Sequence, residues 1–318
     1  MTPGIEEILR RAPFCHVGTH TRLGPHVTPV AFAISGGRVW ATTARASAKA
    51  RAWRADPRIG ALVRDGDDVI TFTGRARTFD ALDPLTWIDT IREMPALALA
   101  TARFARKNAR FFAGYAVDAR SVPFAWMPPG RLLVELSIER STRWTPRAQG
   151  RRPRRELPSR DRFRPTRAEV DALAALPPEV AVAVGREGPG HLGLESDAGI
   201  SVLPVRWTSL DGLVAVVPEA VLASARPSAP TFPVALGVDR PTWWRARHMV
   251  GAMVQGTGEA IVARRTRSGR RSAAELVAAA GGDPDRDVLI TVDPMRVIWW
   301  RGWSSGSRTL EHRRSGRA

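Results

Sequence analysis

A dense set of anion-binding side chains lies in one run, Thr42-Thr43-Ala44-Arg45-Ala46-Ser47-Ala48-Lys49. Two hydroxyls, a third at Ser47 and an amine at Lys49 suit a phosphate, which needs hydroxyl, backbone and cationic donors placed together. The lysine stands out because the chain has only two, Lys49 and Lys107, among cations that are otherwise arginine. Ser47 opens a predicted helix, and a helix N-terminus favours an anion. Read alone, Ser47 fits equally well as a simple N-cap, with a solvated lysine after it.

The elements around this run must position it. Phe14–Thr19 reads as a short apolar strand. Val27–Ile34 follows, rich in Val, Phe and Ile, with Pro29 calling for an edge or a bulge. Ser35-Gly36-Gly37 makes a tight hairpin turn, and Arg38–Thr43 pairs back. Ala46–Ala55 is helical and ends at Asp56-Pro57. Arg58–Arg64 and Val69–Thr78 are two further strands around Gly66. Residues 84–114 switch to helical spacing, with a break at Pro95. Strand returns at Arg131–Ile138.

Strand, turn, strand, Ser/Lys-bearing helix, strand, strand: this order and these residues resemble the flavin-binding split β-barrel family that includes the pyridoxamine 5'-phosphate oxidases. Thr43, Ser47 and Lys49 match the family's phosphate-binding pattern position for position. Ala48 stands where the family commonly has arginine, Thr42 replaces an aromatic residue, and Arg45 and Arg51 are the candidate substitutes for the missing cation. The resemblance implies a cofactor-binding set of His26, Val27, Thr28, Thr42, Thr43, Ser47, Lys49 and Arg51. The implied cofactor is flavin mononucleotide (FMN), with an F-420 type deazaflavin as alternative and haem as a lesser one, for which His248 is the best single ligand. Catalytic residues stay unassigned.

A weaker copy of the pattern fills the second half. Val180–Val184 is matched to Phe14–Val17, Pro204 to Pro29, Asp211-Gly212 to Gly36-Gly37, Val234–Val238 to Ile59–Val63, Gly258 to Gly74 and Trp300 to Trp144. The expected fold is mainly β with α insertions: two tandem split β-barrels forming an intrachain pseudo-dimer. The first spans 1–146 with a helical insertion at 84–114. An Arg/Pro-rich linker covers 147–167, and a diverged second barrel 168–318. The second copy's Val216-Val-Pro-Glu-Ala-Val-Leu-Ala lacks the hydroxyl pair and the lysine, so at most one cofactor site is expected. Its ring would lie against candidates Trp207, Trp243, Trp244, Trp299, Trp300 and Arg301.

Other chemistries lack a motif. No His/Cys/Asp/Glu set has metal-ligand spacing, so no metal is expected. There is no nucleophile elbow, Walker loop or dinucleotide turn. The single Cys15 fits a reducing compartment, no apolar run approaches a membrane span, and the N-terminus lacks signal-peptide character. The chain reads as cytoplasmic and monomeric, with a small-molecule substrate and no membrane partner. The net charge of +17 raises nucleic acid through Arg151, Arg152, Arg154 and Arg155, but no reading motif accompanies it, so this ranks last. The rival to an oxidoreductase is a non-catalytic ligand-binding barrel pair with degenerate cofactor sites.

Overall fold

A computed structural model describes residues 2–80, 82–123, 130–144, 171–196, 199–209, 212–227, 229–242, 244–262 and 270–310. The expected linker lies outside these residues, as does Trp243. The first unit runs α1 (Pro3–Arg11), β1 (Phe14–Thr21), β2 (Gly24–Ser35), β3 (Arg38–Ala44), α2 (Ala48–Ala55), β4 (Arg58–Asp65) and β5 (Asp68–Phe79). The insertion follows as α3 (Trp87–Arg92), α4 (Met94–Lys107) and α5 (Ala109–Val117), and β6 (Arg131–Trp144) completes the unit. The six strands close in the order β1-β2-β3-β6-β5-β4, all neighbours antiparallel.

The second unit comprises α6 (Pro178–Val184), β7 (Glu187–Ser196), β8 (Gly199–Thr208), β9 (Val214–Pro218), α7 (Glu219–Ala225), β10 (Thr231–Arg240), β11 (Val250–Ile261), α8 (Arg270–Ala279), β12 (Asp287–Arg301) and β13 (Ser304–Thr309). Its strands run β11-β10-β7-β8-β9-β12-β13, and β11 also pairs with β12. The same six-strand circuit therefore closes twice, with β13 added to the second. The chain is mainly β, and two tandem split-barrel units account for its described strands.

The pairing corrects two of the sequence matches. Val180–Val184 is helix, not strand, and corresponds to α1, while β7 is the partner of β1. His16 pairs with Leu62 and His191 with Gly237, which sets a constant separation of 175 residues through the first four strands. Gly74 corresponds to Gly256 rather than Gly258, because each sits at its strand's bulge. A Cβ on Gly74 would lie 1.7 Å from the Ser137 carbonyl, and one on Gly256 2.0 Å from that of Asp293. Only glycine fits a bulge folded that tightly.

Each barrel has its own apolar interior, around Val17, Phe32, Val63 and Leu136 in the first and Leu194, Val205, Leu236 and Ile290 in the second. A third cluster joins them, with Val27 and Leu62 packed against Ile200, Val202 and Met253. Here the pseudo-symmetry is visible in single contacts. A Cβ on Gly18 would strike Val202 at 2.6 Å, and one on Gly193 would strike Val27 at 2.3 Å. Both pairs are copies of one valine-on-glycine contact, 175 residues apart.

Candidate functional site

Thr42 and Thr43 end β3, and three residues later the chain turns into α2. Ser47 caps that helix: its hydroxyl accepts from the Ala50 backbone N–H at 3.1 Å and lies 3.0 Å from Thr43 Oγ1. Ala50 and Trp53 bury the helix's inner face, which fixes Lys49 on the turn facing the second barrel's hairpin. Only Phe32–Ser35 of β2 pair with β3, so residues before Phe32 have a ladder partner on one side. Pro29 sits in this stretch without disturbing a ladder, and the gap beside it opens a cavity of about 350 Å³.

The cavity has two chemically different ends. The polar end holds His26, Thr28, Thr42, Thr43, Ser47 and Lys49, together with Arg131 from the start of β6. Arg131 Nε and Nη2 donate to Thr42 Oγ1 at 3.1 and 2.9 Å, and Nη2 also reaches the Thr42 carbonyl at 2.9 Å. The apolar end is walled by Phe111 and Tyr115 of α5 and by Trp299, Trp300 and Trp303 of the β12–β13 hairpin. Tyr115 and Trp303 meet edge to face at 5.1 Å, so the insertion and the second barrel close the cavity together. Two ion pairs hold α5's end to the second barrel, Asp118 to Arg245 and Asp118 to Arg247.

Electrostatics at the polar end are those of a site waiting for an anion. Burial, then the neighbouring Arg131, lowers the Lys49 ammonium to about 7. No carboxylate lines the cavity among the described residues, and burial lowers Arg131 as well, against the pull of Tyr115. Burial also lowers His26, to about 4, with Lys49 and Arg296 adding to the effect; it is neutral at physiological pH. The Thr28 hydroxyl is buried with no hydrogen-bond partner, and such an orphan costs free energy until something binds it. Burial raises the Tyr115 hydroxyl to about 12, keeping it protonated. Cys15 is buried, and its thiol is pushed up to about 12 by desolvation against the pull of Lys107 and Lys49.

Six of the eight expected cofactor residues line this cavity: His26, Thr28, Thr42, Thr43, Ser47 and Lys49. Val27 does not. It packs into the cluster between the barrels, because strand alternation turns it away from its neighbours. Arg51 does not either; its side chain is exposed and donates to the Ala46 carbonyl. Arg45 is committed to the buried Asp80, which Arg54 also contacts at 3.0 Å. The arginine that lines the cavity is Arg131, some eighty residues downstream of Ala48. Register pairs Ala44 with Arg131, a relation no local motif reveals.

Of the ring candidates, Trp299 and Trp300 line the cavity. Trp207 is buried in the second barrel's core, Trp244 is exposed, and Arg301 pairs with Glu179 on the surface. Trp303 belongs to the wall and was not among the candidates. His248 is exposed beside Arg247 and is not among the residues that line the cavity, although its neighbour Met249 is. The equivalent groove of the second barrel is lined by Ala220, Ala223, Ser224 and Ser201, with Arg140 and Arg226 and without a lysine.

One metal-type cluster escaped the sequence because it is assembled across the barrels. His16, His191 and Asp239 bring ligand atoms within 4.8 Å of one another. His16 Nε2 lies 3.0 Å from Asp239 Oδ1, and the two imidazoles stack at 4.3 Å. Burial, then His16, lowers His191 to about 3, so it is neutral. Asp239 stays ionised through His16, His191 and Arg64 against its burial. Arg64, which donates to the Gly190 carbonyl, is the smallest of the influences that favour the ionised aspartate. His16 and His191, and Arg64 and Asp239, are again pairs separated by 175 residues.

Residues 1–144 match the family model described as pyridoxamine 5'-phosphate oxidase. Among solved structures, a conserved hypothetical protein of Mycobacterium tuberculosis is similar at 23% identity and a TM-score of 0.34, over 49% of this chain and 92% of that one. An FMN-binding protein of Nostoc punctiforme related to pyridoxamine 5'-phosphate oxidase is similar at 17% identity and 0.34, over 46% and 86%. The haem storage protein of Vibrio cholerae is similar at 17% and 0.29, over 45% and 92%. No curated protein matches the chain.

Proposed function

We propose that this protein, whose residues 1–144 match the pyridoxamine 5'-phosphate oxidase family model, is an oxidoreductase that holds one flavin mononucleotide between its barrels and acts on a small molecule. The observation that carries this reading is the polar end of the cavity: two desolvated cations, Lys49 and Arg131, beside an orphaned Thr28 hydroxyl and with no carboxylate in the described lining. Those residues fit a phosphate. Lys49 and Arg131 would neutralise its charge, and Thr43 and Ser47 would donate hydroxyl hydrogen bonds at the start of α2.

A bound flavin supplies the hydride or electron-pair chemistry, which no side chain of the chain can provide. The protein's part is placement and exclusion of water. Trp299, Trp300 and Trp303 offer flat apolar surface for a ring, while Phe111 and Tyr115 close the opposite side. His26 is neutral and Tyr115 protonated, so both act as hydrogen-bonding groups at fixed protonation. The second barrel contributes the tryptophan wall and the hydroxyls of Ser304 and Ser305 to this cavity, while the equivalent groove has no lysine, which supports one site per chain. The described cavity holds a single arginine, Arg131; the arginine-lined groove that would favour a deazaflavin's anionic tail is not among its features.

Titration of the purified protein with FMN, followed by flavin absorbance and fluorescence, tests the reading. Saturation at one per chain, weakened at least a hundredfold by Lys49→Ala, is the expected result. Absence of binding by FMN and by the deazaflavin would favour the barrel pair as a cofactor-free binding protein.

A further inference from the structure

The helical insertion of the first barrel carries an unusual surface. Eight of the twelve large apolar side chains exposed among the described residues belong to residues 82–117. Ile88 is 80% exposed, Ile91 65%, Met94 54% and Trp87 51%. Such a concentration of exposed apolar side chains on one segment marks a place where something binds.

The helices explain why the patch exists. On α4, Ala100 and Phe104 are buried against the barrel. The opposite side presents Met94, Ala98, Leu99, Ala102 and Ala105, all exposed. A helix apolar on both faces belongs against a second apolar phase. Neither α4 nor α5 contains an acidic residue. Exposed Arg92, Arg103, Arg106 and Arg110 lie on the same insertion. Its two acids nearest the patch are already paired, Asp89 with Arg77 at 2.9 Å and Glu93 with Arg38 at 3.1 Å.

We propose that this face docks onto the surface of an anionic lipid bilayer. Tryptophan, isoleucine and methionine would enter the headgroup boundary, and the flanking arginines would meet lipid phosphates. A second copy of the chain fits the face less well. A twofold contact lays the same patch on itself, so Arg103, Arg106 and Arg110 would confront their own counterparts. The inner side of the same helices lines the cavity through Phe104, Phe111 and Tyr115. Docking therefore places the lid of the cavity at the membrane, where an apolar ligand dissolved in lipid can reach it. The inference concerns the outer face alone and is independent of which cofactor the cavity holds.

Sedimentation of the full-length protein with vesicles of neutral phosphatidylcholine, and of phosphatidylcholine containing roughly a third phosphatidylglycerol, tests it. Binding to the anionic vesicles only, reduced in 0.5 M salt, is expected. Each arginine near such a surface contributes about 1 kcal/mol, so Arg103→Gln, Arg106→Gln and Arg110→Gln together should weaken partitioning by about a hundredfold. Ile88→Ser with Ile91→Ser should abolish it. Both sets change exposed residues, and an unchanged urea midpoint checks that the fold is intact. Three results would overturn the proposal: no vesicle binding; loss of binding when Arg151, Arg152, Arg154 and Arg155 are replaced by glutamine but not in the insertion variants; or light scattering that shows a dimer removed by the Ile88/Ile91 changes, which would make a second copy the occupant.

Discussion

Lys49 should cost the ligand-free protein stability, and the cost should depend on pH. An exposed lysine titrates at 10.5, and this one is lowered to about 7, chiefly by burial. Below pH 7 both the folded and unfolded chains carry the proton, and the full penalty of a buried ammonium is present, about 5 kcal/mol as an order of magnitude. Between about 7 and 10.5 the unfolded chain binds more protons than the folded one, so stability rises with pH. From pH 6 to pH 9 the gain is about 2.7 kcal/mol. Lys49→Met removes this linkage and keeps the apolar stem. Urea melts of ligand-free wild type and variant at pH 6, 7, 8 and 9 should show the variant more stable at pH 6, with the difference shrinking by roughly that amount by pH 9. A bound phosphate would restore the ammonium's usual affinity for its proton, so saturating FMN should flatten the wild-type profile. A wild-type–variant difference that is constant across pH, or a variant already less stable at pH 6, would refute the placement of the amine in a desolvated cavity.

Arg131→Gln should weaken FMN binding about as much as Lys49→Ala, whereas Arg51→Gln should leave it unchanged; fluorescence titration separates the two. Thr28→Val removes a hydroxyl that has no partner in the ligand-free chain, so it should leave or slightly raise the urea midpoint, and a loss above about 1 kcal/mol would mean the hydroxyl is already satisfied. Gly60→Ala should destabilise by several kcal/mol, because its Cβ would sit 2.3 Å from the Ile200 carbonyl between the barrels; an unaltered melt would show that the barrels do not pack as described.

How much of this was legible in the sequence depends on the range over which each signal acts. The strands of the first barrel and the cap at Ser47 are written locally, in apolar runs, glycine turns and a hydroxyl before a helix. The repeat was legible too, but its register was not. Val180–Val184 is as rich in valine as a strand, and only its docking along the second barrel makes it the counterpart of α1. Matching Gly258 to Gly74 followed a Thr-Gly dipeptide, whereas the bulge that needs glycine lies two residues earlier. Proximity in sequence points to Arg51 for the missing cation. Helical geometry sends it outward, and strand pairing brings Arg131 to the place instead. Val27 shows the opposite limit: neighbours that do line the cavity say nothing about a residue whose side chain alternates to the other face.

The pseudo-symmetry leaves the two grooves free to differ: the first holds Lys49 and Arg131, the second Arg140 and Arg226 with no lysine. The contacts along the axis between the barrels keep their partners in both copies: Gly18 with Val202 and Gly193 with Val27, His16 against His191. These are packing constraints, and a change in one half is felt by the other at once. The two grooves that flank the axis face no such constraint, since each is lined by residues of both barrels. The second barrel's loop runs into alanine-rich α7 and carries no lysine, while the same barrel's β12–β13 hairpin supplies three tryptophans to the cavity beside the first barrel's loop. Joining the two barrels in one chain makes that division permanent, because every molecule then contains one loop of each kind. The charge pattern on the axis shows the same freedom. The positions of Arg64 and Asp239 correspond, and in two identical copies they would have set like charges across the interface. In a single chain they are opposite charges, and Arg64 adds to the interactions that hold the Asp239 carboxyl below its ordinary range against burial.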